Sequence, residues 1–490
     1  MTEININNKI ENILNNIEAL SFFTVDGSAK DQFKYRTANR LLKAWRKLLS
    51  NQINKEDFEI LLKEYLLLFK CTLQLSNYEE SDLFSKIGLI KNDDGSIWSS
   101  YNIPSYVNGK FIKKIYEPTY LTEVNNNKYD LRTNAFIESL TDFKYFKSEE
   151  QKLVVMGALR TPPGYTALIS MSTGGGKSLI TQTIAYQESG LTLVIVPTVS
   201  LMMDQVRSAK AILKRKVDEE IFCYYSGQNL TPFLNALSNK TARILFVSPE
   251  AIIKNKQLFV AIEKANAQNY LKNLVVDEAH VVSEWGASFR VDFQCFDIIR
   301  KTFIDNNSEL RTFLLSATFS ERTVSQLKQA YADGDNWIEL RCDKLRSEIC
   351  YDVIKTDNRV DKIKKLKEII PLLPLPLIVY VSRPDDASFL QKQLAGIGVS
   401  NTRTFTGRTN SIDRERIINE WINDEFPIMI ATCAFGVGVD KKDVRTVLHT
   451  YIPENANKYY QEAGRGGRDG LLSLSAMIYE PEDADYAFKL

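Results

Sequence analysis

A chain of 490 residues, 44% apolar and 11% aromatic, has room for two to four domains and enough apolar surface to bury sizeable cores. Its 62 Lys and Arg against 61 Asp and Glu leave a net charge of +1, which excludes a protein coated in positive charge but allows a basic track along one face. No apolar run reaches the ~20 residues of a membrane span, and Met1 is followed by Thr, Glu and Asn with no basic start or apolar signal core, so a cytoplasmic protein away from membranes is expected. The six cysteines contain no C-x-x-C pair, and His280 and His449 are the only histidines. A structural zinc site is therefore not expected, and the thiols read as reduced.

In chain order, the stretch to about Ile90 predicts helices. Ile6, Ile10, Ile13, Ile17 and Leu20 fall three or four apart, as do Leu41, Leu42, Trp45, Leu48 and Leu49, and then Phe58, Leu61, Leu62, Tyr65, Leu66 and Phe69. From Asn92 to Asn127 the texture changes to turns and short strands. Asn108-Gly109 between Tyr106-Val107 and Phe111-Ile112 predicts a hairpin. From about Asp142, short apolar runs alternate with helix-like stretches: Ala167–Met171, Leu193–Val196, Ile244–Val247, Leu274–Val276 and Phe313–Leu315. A second series is Leu377–Val381, Ile428–Ala431, Val444–His449 and Ala476–Tyr479, with the join near Arg341–Tyr351. Continuous apolar strands between helices indicate parallel sheets covered on both faces, an α/β fold. The expected division is a mainly helical N-terminal domain over 1–130 with a short β/turn segment, then α/β domains over 140–345 and 346–490.

Ser172-Thr173-Gly174-Gly175-Gly176-Lys177-Ser178 follows one predicted strand and opens a predicted helix. Consecutive glycines let backbone N–H groups close around phosphate oxygens, and the helix start adds partial positive charge. Lys177 can reach the β- and γ-phosphates, and Ser178 can ligate Mg²⁺. The strict phosphate-loop pattern has Gly where Met171 stands. Val275-Val276-Asp277-Glu278-Ala279-His280 ends another apolar strand. Asp277 can hold the metal there, and Glu278 can activate the attacking water.

Asp277-Glu278-Ala279-His280 is the DEAH form of a superfamily-two helicase box, and Glu284-Trp285-Gly286-Ala287-Ser288-Phe289-Arg290 resembles the aromatic-rich loop of RecQ helicases. Trp285 and Phe289 offer flat faces for base stacking and Arg290 a phosphate contact, although aromatics are often simply core. The family pattern has Gln at Glu284 and His at Ala287. Pro197 to Gln205 resembles a motif that touches the DNA backbone, through Ser200 and Gln205. Val247-Ser248-Pro249-Glu250 resembles the next motif, and Ser316-Ala317-Thr318 resembles the one that, with His280, couples hydrolysis to strand movement. Ala431 to Asp440 resembles motif V, with Gly438 and Asp440 near the nucleotide. Tyr459 to Gly470 resembles motif VI, with Gly466 where Ala is usual. In that family Gln461, Arg465 and Arg468 face the γ-phosphate from the second lobe. Phe146-Lys147 followed by Gln151 resembles the element that reads adenine, with Lys147 where Arg is common.

The resemblance runs from about Asp142 to the end of the chain. It implies two tandem RecA-like domains with ATP and Mg²⁺ held between them, and 3′ to 5′ movement on single-stranded or tailed duplex DNA. The family's zinc-binding and winged-helix region, which helps separate strands, would lie beyond Leu490. That leaves three readings open: a helicase, a duplex translocase or remodeller that does not unwind, and an ATP-switched nucleic-acid-sensing subunit that docks a protein partner through the N-terminal domain. RNA remains open beside DNA, as does the pathway, whether repair, recombination or phage defence.

Overall fold

The two series of apolar strands build two parallel sheets. The computed structural model describes residues 3–16, 18–75, 78–117, 131–215, 217–225, 227–281, 291–343, 345–436 and 441–487. Within these, residues inside Met1–Asn125, Ser347–Gly436 and Asp440–Leu490 form one compact unit, the split unit. Those inside Asn126–Arg346 form the other, the phosphate-loop unit. Among the described residues no helix is long and apolar enough to cross a membrane.

In the phosphate-loop unit the strands are β4 (Thr166–Met171), β5 (Leu191–Ile195), β6 (Ile221–Tyr224), β7 (Ile244–Val247), β8 (Leu271–Val276), β9 (Arg311–Ser316) and β10 (Trp337–Cys342). They pair in parallel in the order β10-β4-β9-β8-β5-β7-β6. Successive side chains feed opposite faces. Leu168, Leu193 and Ile195 enter one core, and Ala167, Ile169 and Val194 enter another. Both faces are dry, as a parallel sheet between helices requires. Arg300, fully buried, ties β9 and β4 to the turn before β10, donating to the Thr312 and Thr166 hydroxyls at 3.1 and 3.0 Å and to Asp333.

The split unit begins with helices α1 (Glu3–Leu14), α2 (Ala29–Leu49) and α3 (Lys55–Phe69). Ser28 and Asp31 close a capping box on α2, and Asn54 caps α3. The expected first helix stops short of Leu20: Asn16 takes a left-handed conformation (φ +58), which Asn tolerates, and Leu20 is exposed in an irregular stretch. Ile17 lies outside the described residues. The small antiparallel sheet orders β1 (Leu73–Gln74), β3 (Ser96–Ser99) and β2 (Leu89–Lys91) as β1-β3-β2.

No hairpin forms at Asn108-Gly109. Asn108 instead accepts the Lys110 N–H (3.2 Å) and caps α4 (Gly109–Ile115). Ile112 and Ile115, three apart, bury on one face, so helical spacing overrides the turn signal.

The second large sheet comprises β11 (Ile349–Lys355), β12 (Leu377–Tyr380), β13 (Thr402–Phe405), β14 (Ile428–Ala431), β15 (Thr446–His449) and β16 (Ser473–Tyr479), all parallel, in the order β11-β16-β15-β12-β14-β13. Val379 stands beside Ile430 and Leu448, and Leu448 beside Ala476. This row shares one continuous core with Leu41, Phe58, Leu62 and Ile112 of the N-terminal helices. The bundle is thus part of the second sheet's hydrophobic core.

Candidate functional site

The phosphate-loop residues lie between β4 and α7 (Lys177–Gln187). Glycine is required there by space as well as by torsion. A Cβ on Gly175 would come 2.6 Å from Met171 Cγ, and one on Gly176, at φ +105, would meet Gln151 Nε2 at 2.2 Å. Met171, the departure from the strict pattern, is buried beneath the loop. Thr173 and Gly174 complete the turn, and α7 begins at Lys177, which brings the positive end of the helix to the loop with Ser178 next along it.

Gln151, on α6 (Glu149–Leu159), is buried. It accepts the Lys147 N–H at 2.7 Å and donates to Gly175 O at 2.8 Å, while Lys147 Nζ reaches Gly174 O at 3.4 Å. The predicted adenine reader therefore also props the phosphate loop.

Asp277 and Glu278 follow β8 at the centre of the sheet. Glu278 adopts φ +51, unusual for a non-glycine residue. Lys177 Nζ lies 2.7 Å from Glu278 Oε1. Burial pushes the Asp277 carboxyl up to about 6, opposed by Lys177 and reinforced by Glu278. Its Oδ2 accepts from Gln205 at 3.1 Å, so the glutamine expected at the DNA backbone also contacts the acidic pair. Asp277 and Ser178 are hard oxygen donors of the kind Mg²⁺ takes, and a buried carboxylate is eased by a cation, so the residues fit such an ion.

His280 Nδ1 lies 2.8 Å from Ser316 Oγ, which donates to Thr318 O at 2.9 Å. The Thr318 hydroxyl is buried with no hydrogen-bond partner among the described residues. The three expected coupling residues are thus joined at the ends of β8 and β9, with Ala279 N–H bonded to Leu315 O (2.8 Å).

Several of the predicted site residues lie outside the described ones. Trp285, Phe289 and Arg290 fall in 282–290, and Gly438 and Asp440 in 437–440. Ser200 lies on α8 (Val199–Ile212), its side chain outside the described set.

In the split unit, Asn455 caps the helix Ala456–Ala463, which carries Gln461 and leads into Arg465 and Arg468. A Cβ on Gly436 would lie 3.4 Å from Arg465 Nη2, so the guanidinium rests against that glycine. It also acts on Tyr380, whose hydroxyl burial pushes up and Arg465 pulls down. Glu462, buried, pairs with His449 Nε2 at 3.0 Å, and His449 stacks on Tyr380 at 5.3 Å. Gly466 has a local cause as well: a Cβ there would meet Ser473 Oγ at 2.7 Å. Sequence reasoning missed Tyr380 and His449, which match no motif and whose only signal was polarity at the ends of apolar strands. It also assigned no role to Glu462, which lies within motif VI on the helix Ala456–Ala463.

Residues 148–327 match the DEAD/DEAH box helicase model and 361–470 the helicase conserved C-terminal domain. The chain belongs to the DEAD/DEAH box helicase family. Within it the resemblance runs to RecQ-type members. The chain is 30% identical over 325 residues to a putative ATP-dependent DNA helicase Q1 of Caenorhabditis briggsae, covering 65% of this chain and 51% of that protein. It is 28% identical over 355 residues to the ATP-dependent DNA helicase RecQ of Bacillus subtilis, covering 72% and 57%. The chain thus spans about half the length of the curated relatives it matches. In fold it is similar to the DUF1998 helicase MrfA solved bound to DNA (TM-score 0.57, 16% identity, 82% of this chain and 52% of that one).

Proposed function

We propose that the chain is an ATP-driven DNA translocase and helicase of RecQ type, moving 3′ to 5′ on single-stranded DNA. The observation that carries this reading is the convergence of Lys177, Asp277 and Glu278 from two separate strand ends, with the lysine 2.7 Å from the glutamate. Lys177 neutralises Glu278 in the absence of phosphate. Drawn to β- and γ-phosphate oxygens, it releases the Glu278 carboxylate to orient and deprotonate water. Ser178 and Asp277 would hold Mg²⁺, which neutralises charge on the phosphates. Gln151 and the glycines fix the loop, and Thr173 closes it. Arg465 and Arg468, with Gln461, take the role of stabilising charge that develops on phosphoryl transfer. His280, Ser316 and Thr318 relay the change.

Trp285, Phe289, Arg290, Ser200 and Gln205 are proposed for the DNA, and Gly438 and Asp440 for the nucleotide. Backbone gripping makes binding weakly sequence-selective and steeply salt-dependent. The domain limits proposed are 1–130, 140–345 and 346–490.

The test is ATP hydrolysis with and without single-stranded DNA, for wild type and Lys177→Ala, and strand displacement on 3′- and 5′-tailed duplexes. A folded wild type that DNA does not stimulate ends the proposal. Stimulation without displacement leaves a translocase.

A further inference from the structure

The N-terminal helices lie outside both matched family regions, yet α2 reaches the segment that braces the motif VI loop. Arg40 Nη2 donates to Asp443 Oδ2 at 3.0 Å. One turn earlier Arg36 lies 3.5 Å from Asp424, and two turns earlier the Phe33 ring sits 4.9 Å from the Arg445 guanidinium. These positions recur at helical spacing, so one face of α2 grips Asp443, Arg445 and Asp424, the last of which pairs with Lys441.

The segment 441–445 is bonded to the arginine-bearing loop by main chain and side chain alike. Gly467 N–H donates to Val444 O at 3.0 Å, and Asp469 N–H donates to Lys442 O at 3.1 Å. Arg445 spans the join. Its Nε donates to Asp443 O at 3.0 Å, its Nη1 to Leu472 O at 2.9 Å, and its Nη2 to the Asp469 carboxylate, next to Arg468. Lys441 completes the cluster at 3.2 Å from Asp443 Oδ1.

Arg40, Lys441, Asp443 and Arg445 are all at least nine-tenths buried. Charges so buried add little net stability over apolar replacements of the same shape. What they do supply is a single fixed geometry.

We infer that Arg40 is a positioning residue for the ATP hydrolysis proposed above, acting through Asp443 and Arg445 on the Gly464–Asp469 loop that carries Arg465 and Arg468. The inference rests on the motor reading for its kinetic part. Its structural part stands on the bonds just given.

The experiment uses the full chain. Arg40→Met and Asp443→Asn should lower kcat for DNA-stimulated ATP hydrolysis about tenfold while KM for ATP moves less than about twofold. Arg40→Lys should recover most of the rate, because only Nη2 makes the contact. Amide exchange at Gly467 and Asp469 should quicken at least about tenfold in Arg40→Met.

Asp57→Ala is the control. Asp57 accepts the Ser400 and Asn401 N–H groups at 2.9 Å, elsewhere along the same seam, away from the loop. It should loosen the bundle without changing kcat or exchange at Gly467. Wild-type kcat and exchange in both Arg40→Met and Asp443→Asn overturn the inference, as does an Asp57→Ala variant that matches Arg40→Met in both. A wild type that turns over no ATP overturns the proposed function and the kinetic part with it, while the exchange measurement still accepts or rejects the clamp.

Discussion

The two large sheets are covered in different ways. The sheet of the phosphate-loop unit has a separate core on each face, built from residues within that unit. The sheet of the split unit shares its Val379–Ile430–Leu448–Ala476 row with the N-terminal bundle, and its opposite face carries Tyr380 and His449 toward the motif VI residues. A site's rigidity can therefore come from its own sheet or from a neighbour. Lys177, Asp277 and Glu278 hang from strand ends of their own sheet, whereas Arg465 and Arg468 sit on a loop held partly by a region outside both matched helicase models.

The largest effect should come from the self-contained side. Lys177→Ala should cut ATP turnover about 10³-fold, measured at saturating single-stranded DNA, and leave protease resistance of the split unit unchanged. Loss of resistance in the split unit would erase the contrast between the two.

The next test asks whether bundle and sheet are one cooperative body. Glu64 of α3 accepts the Leu375 N–H at 3.0 Å and the Tyr116 hydroxyl, beside Lys63 at 3.1 Å, all in full burial. Glu64→Ala strands those donors and should cost about 3–5 kcal/mol. Amide exchange should then rise together in α3 and in β15. Exchange confined to the bundle would show two bodies that merely touch.

A smaller effect sharpens the arginine side. Gly466→Ala should destabilise the split unit by about 1–3 kcal/mol through the clash with Ser473. Ser473→Gly in the same chain should return part of it in a denaturant titration.

The smallest is a pH effect. Burial would raise the Asp443 carboxyl, but Lys441, Arg40, Arg36 and Arg445 together hold it well below its ordinary 3.8. A depressed carboxyl contributes stability that is complete above the unfolded value and fades as pH falls below it. Wild type should therefore lose stability on acidification below about pH 4. Asp443→Asn should start lower and show a flatter acid limb in thermal melts followed from pH 6 to 3.

The interior of both sheets was legible in the sequence, and their rims were not. β4, β5, β7, β8 and β9 read as mainly apolar runs, as did β12, β14, β15 and β16, because each has neighbours on both sides and helices on both faces. The strands left unread, β6, β10, β11 and β13, are the four edges. They are only partly buried and carry polar residues such as Glu339, Arg341, Asp352 and Arg403, which blurs the pattern. The phosphate loop and acidic pair were legible because their chemistry needs fixed residues at fixed spacing. The Arg40–Asp443 contact joins residues 403 apart in sequence, and no local pattern announces a pairing across that distance.

The interrupted layout of the split unit also orders events at the ribosome. Its first part ends at Asn125 and its next begins at Ser347, about 220 residues later. At ~5–20 residues per second, on the order of 10–40 seconds pass before the first residues of the part that finishes the bundle's core begin to emerge. The intervening unit holds all its own strands and can close first. The N-terminal helices would then settle after the unit that follows them, with the apolar flank of α3 uncovered in nascent chains until Leu448 and Ala476 have emerged.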